Sequence, residues 1–230
     1  MAPDRSRERS ERRLRTWNVS EVVVRRLSLY LRELQRYAQA GCATVRSTQL
    51  AQTLGLTDSQ VRKDLAYFGQ FGYRGRGYVC TELIDALRRI LGTEQTWPVA
   101  VVGMGNLGRA LLGYRGFAQQ GFRIAAGFDI DSRRLMPPVD GVELHLVDAM
   151  PDVVRRLGIR LAMLAVPADA AQAVAEQCVQ AGIEGILNFA PVALSLPPQI
   201  HVVRVDLAME LEQLSYAVVH RTGQDAAGRA

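Results

Sequence analysis

The chain has 230 residues, 48% of them hydrophobic and 22% charged, which is enough for two modest domains with hydrophobic cores. No apolar stretch approaches the roughly 18 residues of a membrane-spanning helix, and the Arg- and Glu-rich start lacks the apolar segment of a secretory signal. These features argue against a membrane protein and a secreted protein. We therefore expect a cytoplasmic protein with a disordered basic tail at residues 1–17.

The net charge of +5 is unevenly distributed along the chain. Residues 1–91 contain 17 basic and 9 acidic residues, a net charge of +8, and residues 92–230 carry a net charge of −3. An excess of positive charge in one part of a chain is typical of a part that contacts a polyanion. The first part is therefore expected to bind a polyanion such as nucleic acid.

Residues 18–92 show the pattern of a small helical DNA-binding domain. Apolar residues spaced three and four apart predict helices at 20–40 and 59–68, and a shorter helix at 47–55 lies between them. A short helix, a tight turn and a further helix form a helix-turn-helix, whose last helix enters the major groove of DNA. An ordinary solvated helix face is the alternative for residues 59–68.

The segment at 71–79 is aromatic, glycine-rich and basic, which is typical of a β-hairpin wing that grips the DNA backbone or enters a minor groove. An amphipathic helix at 81–91 follows it and ends the domain. Outward-facing donors of the helix-turn-helix and the arginines of the wing suit base edges and phosphates. The candidate DNA contacts are Ser47, Ser59, Gln60, Arg62, Lys63, Tyr67, Arg74 and Arg76.

Residues 93–206 alternate strands and helices, the pattern of a doubly wound parallel sheet with helices on both faces. The predicted strands are 98–102, 123–128, 144–147, 161–165, 185–188 and 201–205, and the predicted helices between them are 107–119, 150–157 and 168–181. The predicted fold class is therefore α/β, with an N-terminal winged helix-turn-helix domain joined to a C-terminal Rossmann domain.

A G-x-G-x-x-G motif, formed by Gly103, Gly105 and Gly108, follows the first of these strands and opens a helix. In a dinucleotide-binding fold the first glycine permits a tight turn, the second admits the pyrophosphate, and the third lets helix and strand pack closely. Asp129 ends the next strand, where an acid binds the adenosine ribose and favours NAD over NADP. Arg133 and Arg134 leave NADP open, because an arginine can bind the 2′-phosphate.

Ligands of doubly wound sheets bind beyond the carboxyl ends of the strands. We therefore expect NAD or NADH to bind at the loops that follow these ends. The candidate cofactor-binding residues are Gly103, Met104, Gly105, Asn106, Leu107, Gly108, Asp129, Val166, Pro167, Asn188, Phe189, Ala190 and Pro191.

Candidate catalytic and metal-binding residues are scarce. A dehydrogenase needs a proton donor or acceptor near the nicotinamide, yet the only lysine, Lys63, lies on the predicted recognition helix. Neither His145 nor His201 has an acidic residue at a spacing that indicates a catalytic pair. The three cysteines are scattered and form no C-x-x-C pair, so we expect no metal site. We therefore expect a nucleotide that acts as a signal in a protein that is not an enzyme.

The last predicted helix, residues 207–221, carries apolar residues on more than one side. This pattern is typical of a helix that packs across a second subunit, and docking on its own domain is the alternative. A flexible tail is expected at 222–230.

Four motifs together resemble the Rex redox-sensing transcriptional repressors. They are VRKDLAYFG at 61–69, FGYRGRGY at 71–78, VVGMGNLG at 101–108 and GILNFAP at 185–191. The resemblance implies winged-helix domains joined to Rossmann domains in a homodimer, with the C-terminal helix exchanged between subunits. It also implies binding to operator DNA when NADH is scarce, and release when the ratio of NADH to NAD rises.

By position, the resemblance assigns Arg32, Tyr114 and Asp206 to the switching network of the family. Leu207 occupies a position where some members place a phenylalanine near the nicotinamide. Two other functions stay open from the residues alone. One is an NAD-dependent oxidoreductase with a basic N-terminal extension, and the other is a domain that binds a CoA-type nucleotide.

Overall fold

A computed structural model of the chain describes residues 19–72, 76–135 and 141–227, with side chains up to residue 220. The chain divides into two compact units, which meet in sequence between Glu94 and Gln95. The tail predicted at 1–17 and the candidate DNA contact Arg74 lie outside the described residues.

Four helices and two short strands make up the described part of the first unit. They are α1 (Glu21–Gln39), β1 (Thr44–Val45), α2 (Ser47–Leu54), α3 (Asp58–Phe68), β2 (Tyr78–Val79) and α4 (Cys80–Leu91). The Thr57 hydroxyl accepts a hydrogen bond from the Gln60 N–H and so caps α3. Left-handed glycines end α2 at Gly55 and α4 at Gly92. Each helix therefore lies within one residue of its predicted bounds.

The wing predicted at residues 71–79 ends in strand β2, and the hairpin predicted within it includes residues 73–75, which lie outside the described residues. Strand β2 pairs antiparallel with β1, which lies between α1 and α2. Val45 and Tyr78 face each other in this pair and are both buried, so their burial in the core decides the register. Gly77 (φ +82°) permits the close approach, because a Cβ atom there would lie 2.4 Å from the Val45 carbonyl oxygen.

A buried carboxylate on α3 joins this helix to α1. Asp64 accepts hydrogen bonds from Arg26 Nε at 2.6 Å and Arg26 Nη2 at 2.9 Å. The Tyr30 hydroxyl donates to it at 2.8 Å and Gln60 Nε2 at 2.7 Å. Burial raises the pKa of the Asp64 carboxyl, but the hydrogen bonds from these three partners outweigh burial and hold the pKa below its usual range. The predicted recognition helix is therefore fixed to α1 by a charged, fully hydrogen-bonded contact. We call this contact, made by Asp64 with Arg26, Tyr30 and Gln60, the Asp64 clamp.

Six parallel strands form the sheet of the second unit. They are β3 (Trp97–Val102), β4 (Phe122–Asp129), β5 (Glu143–Leu146), β6 (Leu161–Leu164), β7 (Gly185–Asn188) and β8 (His201–Arg204). Their order is β5-β4-β3-β6-β7-β8, which is the Rossmann order. The strand order reverses between the neighbouring strands β3 and β6. The predicted doubly wound α/β fold is confirmed.

Five helices accompany these strands: α5 (Asn106–Leu112), α6 (Gly116–Gln119), α7 (Met150–Leu157), α8 (Ala168–Gln180) and α9 (Leu207–Ala227). Successive side chains of β3 point to opposite faces of the sheet. Ala100 and Val102 join the core cluster that includes residues of α7 and α8, whereas Val99 and Val101 join the cluster that includes Leu112 of α5. Both faces of the central strand are therefore buried.

Two predictions about these helices are wrong. The single helix predicted at 107–119 is broken after Leu112, and α6 starts only at Gly116. Glycines weaken a helix, and the Tyr114 ring lies across Gly116, where a Cβ atom would come within 2.5 Å of it. Helix α9 continues to Ala227, beyond its predicted end at residue 221.

Replacing Asp64 by asparagine should destabilise the first unit by about 3 kcal/mol, because it leaves the largely buried Arg26 guanidinium without its charged partner. The matched control is Asp58→Asn on the same helix, which loses an exposed pair with Arg62 and should cost less than about 1 kcal/mol. Urea unfolding, followed by hydrogen exchange of peptides from α1 and α3, measures both effects.

The same carboxylate makes the stability of the first unit depend on pH. The pKa of Asp64 in the folded state lies below its value in the unfolded chain, about 3.9. The stabilisation is therefore complete above this value and is lost as the pH falls through the folded pKa. The free energies of unfolding of the wild type and Asp64→Asn should therefore converge at low pH. Equal losses of this free energy in Asp64→Asn and Asp58→Asn at pH 7 would contradict the role assigned to the Asp64 clamp.

Candidate functional site

The carboxyl ends of the six parallel strands, β3 to β8, lie along one edge of the sheet. The glycine motif follows β3 there, and the Ala165 N–H after β6 donates to the Val102 carbonyl at 2.8 Å. This is the switch point of the sheet, where doubly wound folds bind ligands. The predicted cofactor-binding residues all lie at the ends of β3, β4, β6 and β7.

The three glycines of the motif have different surroundings. Gly103 has φ +98°, and a Cβ atom there would lie 2.4 Å from the Ala165 carbonyl oxygen. A Cβ atom at Gly108 would lie 1.8 Å from the Gly103 carbonyl oxygen. At Gly105, by contrast, no heavy atom of the described residues beyond its chain neighbours lies within 4 Å of a Cβ position. The first and third glycines are therefore required by the fold, whereas the second leaves open space.

Asp129, the predicted ribose-binding acid, is buried at the end of β4. Its Oδ2 accepts the Met104 N–H at 2.7 Å and its Oδ1 accepts the Asp131 N–H at 2.8 Å. The side chain therefore fixes the glycine loop and the turn after β4, a role that sequence patterns do not reveal. A carboxylate has about four acceptor positions, so two remain for a ligand.

The turn after β4 contains two arginines that face acids. Both oxygens of Asp131 accept hydrogen bonds from Arg133, from Nε and from Nη2, each at 2.9 Å. Arg134 Nη1 lies 3.7 Å from Asp129 Oδ2, and Arg109 Nη2 donates to the Arg134 carbonyl at 2.9 Å. Hydrogen bonds from Arg133 hold the pKa of Asp131 below its usual range. The pairing of Asp131 with Arg133 was not predicted from the sequence, although the two-residue spacing is visible there.

Asn188, predicted to contact the cofactor, is buried and bonded to its own loop. Its Nδ2 donates to the Val192 carbonyl at 2.9 Å and its Oδ1 accepts the Ala190 N–H at 2.9 Å. Any contribution of this side chain to a ligand is therefore made through the loop that it shapes. Beside it, Phe189 is half-buried and Pro191 is exposed.

The segment after β8 reaches the same edge. The Val205 N–H donates to the Asn188 carbonyl at 2.8 Å, which extends the pairing of β7 and β8. Asp206 Oδ1 then accepts the N–H groups of Ala208 at 3.1 Å and Met209 at 3.2 Å, so it caps the start of α9. The predicted switching residue therefore also has a structural role.

The other two predicted switching residues are exposed. Tyr114 lies in the break between α5 and α6, and its ring contacts Phe117 edge-on with a centroid distance of 4.8 Å. Arg32 lies on the exposed face of α1, in the first unit. The network that would join these residues to Asp206 stays a prediction.

Helix α3 exposes four of the predicted DNA contacts, namely Ser59, Arg62, Lys63 and Tyr67. Gln60 does not face outward as predicted, because its side chain is bonded to Asp64, and the i, i+4 spacing of the two residues was the available signal. The Arg62 guanidinium pairs with Asp58 at 2.5 Å and lies 3.4 Å from the Ser47 hydroxyl. Ser47 begins α2 and does not cap it, and Arg76 is exposed in the turn before β2.

Helix α9 does not dock on its own unit, contrary to the alternative considered from the sequence. All its described side chains are exposed, including the apolar ones, and so are those of the edge strand β8. A monomer rarely exposes an apolar surface of this extent. The apolar side chains of α9 that are more than 60% exposed are Leu207, Leu211, Leu214, Tyr216, Val218 and Val219.

No helix within the described ranges is both long and apolar enough to cross a bilayer. The described residues also contain no group of three or more His, Cys, Asp or Glu side chains that could hold a metal ion.

Two family models match the chain. One, described as "CoA binding domain", matches residues 94–192, and the other, described as "Putative DNA-binding protein N-terminus", matches residues 18–66. The redox-sensing transcriptional repressor Rex of Carboxydothermus hydrogenoformans is 44% identical over 205 residues, which cover 89% of this chain and 99% of that protein. Rex of Streptomyces coelicolor is 40% identical over 213 residues, or 93% of this chain and 83% of that protein.

Solved structures of RSP, a Rex-family repressor, share the fold of both units. RSP in complex with β-NAD+ and operator DNA matches with a TM-score of 0.82 and 35% identity, covering 92% of this chain and 98% of RSP. RSP in complex with β-NADH matches with a TM-score of 0.81 and 33% identity, covering 91% of this chain and 99% of RSP.

The contrast between the glycines predicts that the same substitution destabilises the second unit to different extents. Gly108→Ala should destabilise the second unit by about 3 kcal/mol, because the new methyl group meets the backbone oxygen of Gly103. Gly105→Ala should cost at most about 1 kcal/mol, the difference between glycine and alanine at a helix N-cap. Urea unfolding with hydrogen exchange of the β3–α5 peptide measures both. Equal destabilisation by the two variants would show that the space at Gly105 is not open.

Proposed function

Because the chain belongs to the Rex family of redox-sensing transcriptional repressors, we propose that it represses transcription by binding operator DNA and releases it on binding NADH. One observation carries the proposal: a helix-turn-helix within the basic N-terminal part and a glycine loop with open space at Gly105 occur in one chain. In this proposal NADH and NAD are effectors and not catalytic cofactors. Such a repressor acts on the chromosome, so we place it in the cytoplasm.

The DNA-binding role is assigned to the exposed side chains of α3 and of the turn before β2. Arg62, Lys63 and Tyr67 offer donors to base edges and phosphates, and Arg76 offers a charge to the backbone. The clamp at Asp64 fixes the helix that carries them. The net charge of +8 over residues 1–91 supports attraction to DNA.

The dinucleotide is assigned to the carboxyl edge of the sheet. Its pyrophosphate would lie at the glycine loop, where Gly105 leaves room for it, and its adenosine ribose at Asp129. The nicotinamide would face the apolar loop of Phe189, Ala190 and Pro191, together with Leu207. An apolar pocket disfavours the positively charged ring of NAD and so favours NADH.

We infer that the protein is a homodimer in which α9 packs on the second subunit. Helix α9 exposes apolar side chains on all sides, and the edge strand β8 exposes Val202 and Val203. Covering these surfaces with a second copy would remove apolar area from water, which stabilises association. Two-fold symmetry would also match a palindromic operator.

The switch requires that NADH has different affinities for the two states of the dimer. We assign this coupling to Arg32, Tyr114 and Asp206. Asp206 directly follows β8 at the ligand edge, whereas Tyr114 follows α5, the helix that the glycine loop opens. Neither is buried, so each is available for a contact that differs between the two states.

Two other functions compete with this proposal. An oxidoreductase would oxidise NADH with a small carbonyl compound, or reduce NAD+ with a small alcohol, whereas the relatives are named as repressors. A CoA-type nucleotide is the ligand that the description of one matching family model names. Isothermal titration with NADH, NAD and CoA separates these ligands, and a coupled absorbance assay at 340 nm detects turnover.

The proposal predicts that NADH weakens binding of a palindromic operator at least tenfold, measured by fluorescence anisotropy. Gly105→Ala should bind the operator like the wild type but respond at least tenfold less sensitively to NADH, because its methyl group occupies the space for the pyrophosphate. Sedimentation velocity should show twice the chain mass of 25.4 kDa. Operator binding that is insensitive to NADH in the wild type would overturn the proposal.

The switching role of Asp206 is separable from its capping role. Asp206→Asn keeps an oxygen that caps α9 but removes the charge, whereas Asp206→Ala removes both. In both variants the ratio of the operator Kd with NADH to the operator Kd without NADH should fall at least fivefold, while operator DNA and NADH each still bind. If Asp206→Asn kept the full ratio and only Asp206→Ala lost it, the residue would act as a cap alone.

A further inference from the structure

The turn after β4 contains contradictory indications about the cofactor. The acid Asp129 favours NAD, whereas Arg133 and Arg134 belong to the type of side chain that binds the 2′-phosphate of NADP. On the basis of the proposed function, we propose that Asp131 determines the preference for NAD(H) over NADP(H). It does so by binding the guanidinium group that would otherwise be free for a 2′-phosphate.

Arg133 binds Asp131 with the donors that could otherwise bind a phosphate. Its Nε and Nη2 donate to the two oxygens of Asp131 at 2.9 Å each, the fork-to-fork geometry in which arginine also binds phosphate. The backbone N–H of Arg133 donates to Asp131 Oδ1 at 3.0 Å, which fixes the carboxylate in place. A 2′-phosphate would therefore compete with Asp131 for the same face of the guanidinium group.

The position of Asp129 carries the second step. Its carboxylate is buried, accepts two backbone N–H groups and has Arg134 Nη1 at 3.7 Å, so its charge is largely compensated. Arg134 also has its Nε 4.0 Å from Asp131 Oδ2, between the two acids. Asp129 alone therefore leaves the exposed guanidinium group of Arg133 available to a phosphate, and Asp131 is the acid that binds this group.

The exposure of the pair carries the third step. The Arg133 side chain is 88% exposed, and an ion pair in water contributes little to stability. Removing the Asp131 charge should therefore free Arg133 without unfolding the turn. Asparagine is the suitable replacement, because its side-chain oxygen can still accept the Arg133 N–H.

The test compares NADH with NADPH in the full-length protein, by the fluorescence of the reduced nicotinamide that both share. Asp131→Asn should lower the ratio of Kd for NADPH to Kd for NADH about tenfold, mainly through tighter NADPH binding. Asp131→Asn combined with Arg133→Ala should restore the wild-type ratio. The matched control is Glu184→Gln, which loses a similar two-pronged pair with Arg160 ahead of β6 and β7 and should leave the ratio unchanged.

Each other outcome overturns the inference. An unchanged ratio in Asp131→Asn would show that Asp131 does not determine specificity. A lowered ratio that persists in the double variant would show simple charge repulsion and not competition for Arg133. Equal affinity of the wild type for both nucleotides would contradict it as well. Absence of NADH binding in the wild type would instead refute the proposed function, so the two failures are distinguishable.

Discussion

The hydrogen bonds of one buried carboxylate organise the ligand edge of the sheet. Asp129 ties the glycine loop, through the Met104 N–H, to the turn that begins at Asp131. A buried charge is tolerated only where hydrogen bonds compensate it, so loop and turn are held as one unit. The close approach of Gly108 to the Gly103 carbonyl then fixes the start of α5. The result is a rigid loop in which only Gly105 has open space, which is the arrangement that a pyrophosphate requires.

The fold was predictable because its main signals are local. Strand and helix periodicities locate the elements, and alternation of the two implies a parallel sheet whose loops meet at one edge. What could not be predicted are contacts between residues far apart in sequence. The pairing of Val45 with Tyr78 and the hydrogen bonds of Arg26 and Tyr30 to Asp64 are such contacts. The break before Gly116 depends on where the Tyr114 ring lies, which helix propensity does not describe.

The two units use buried charge in the same way for different purposes. In the first, Asp64 joins α1 to α3, the helix that exposes the predicted DNA contacts. In the second, Asp129 joins a loop that leaves space for a ligand to a strand end. In both units the candidate functional groups are exposed or border open space, and the charge that positions them is buried. Positioning is therefore carried by residues that a search for exposed functional side chains overlooks.

The linker and the ligand edge lie at opposite ends of β3. The chain enters the second unit at Trp97, over which the Arg160 guanidinium lies 5.3 Å from the ring centroid. The glycine loop begins beyond the six residues of β3, about 20 Å away at about 3.3 Å per residue. Because β3 is central and buried on both faces, moving it alone would disrupt both core clusters. Helix α9 starts at the ligand edge and is exposed, so a change of its contacts costs little within the unit. A signal from the dinucleotide is therefore expected to leave through α9 and not through the covalent linker.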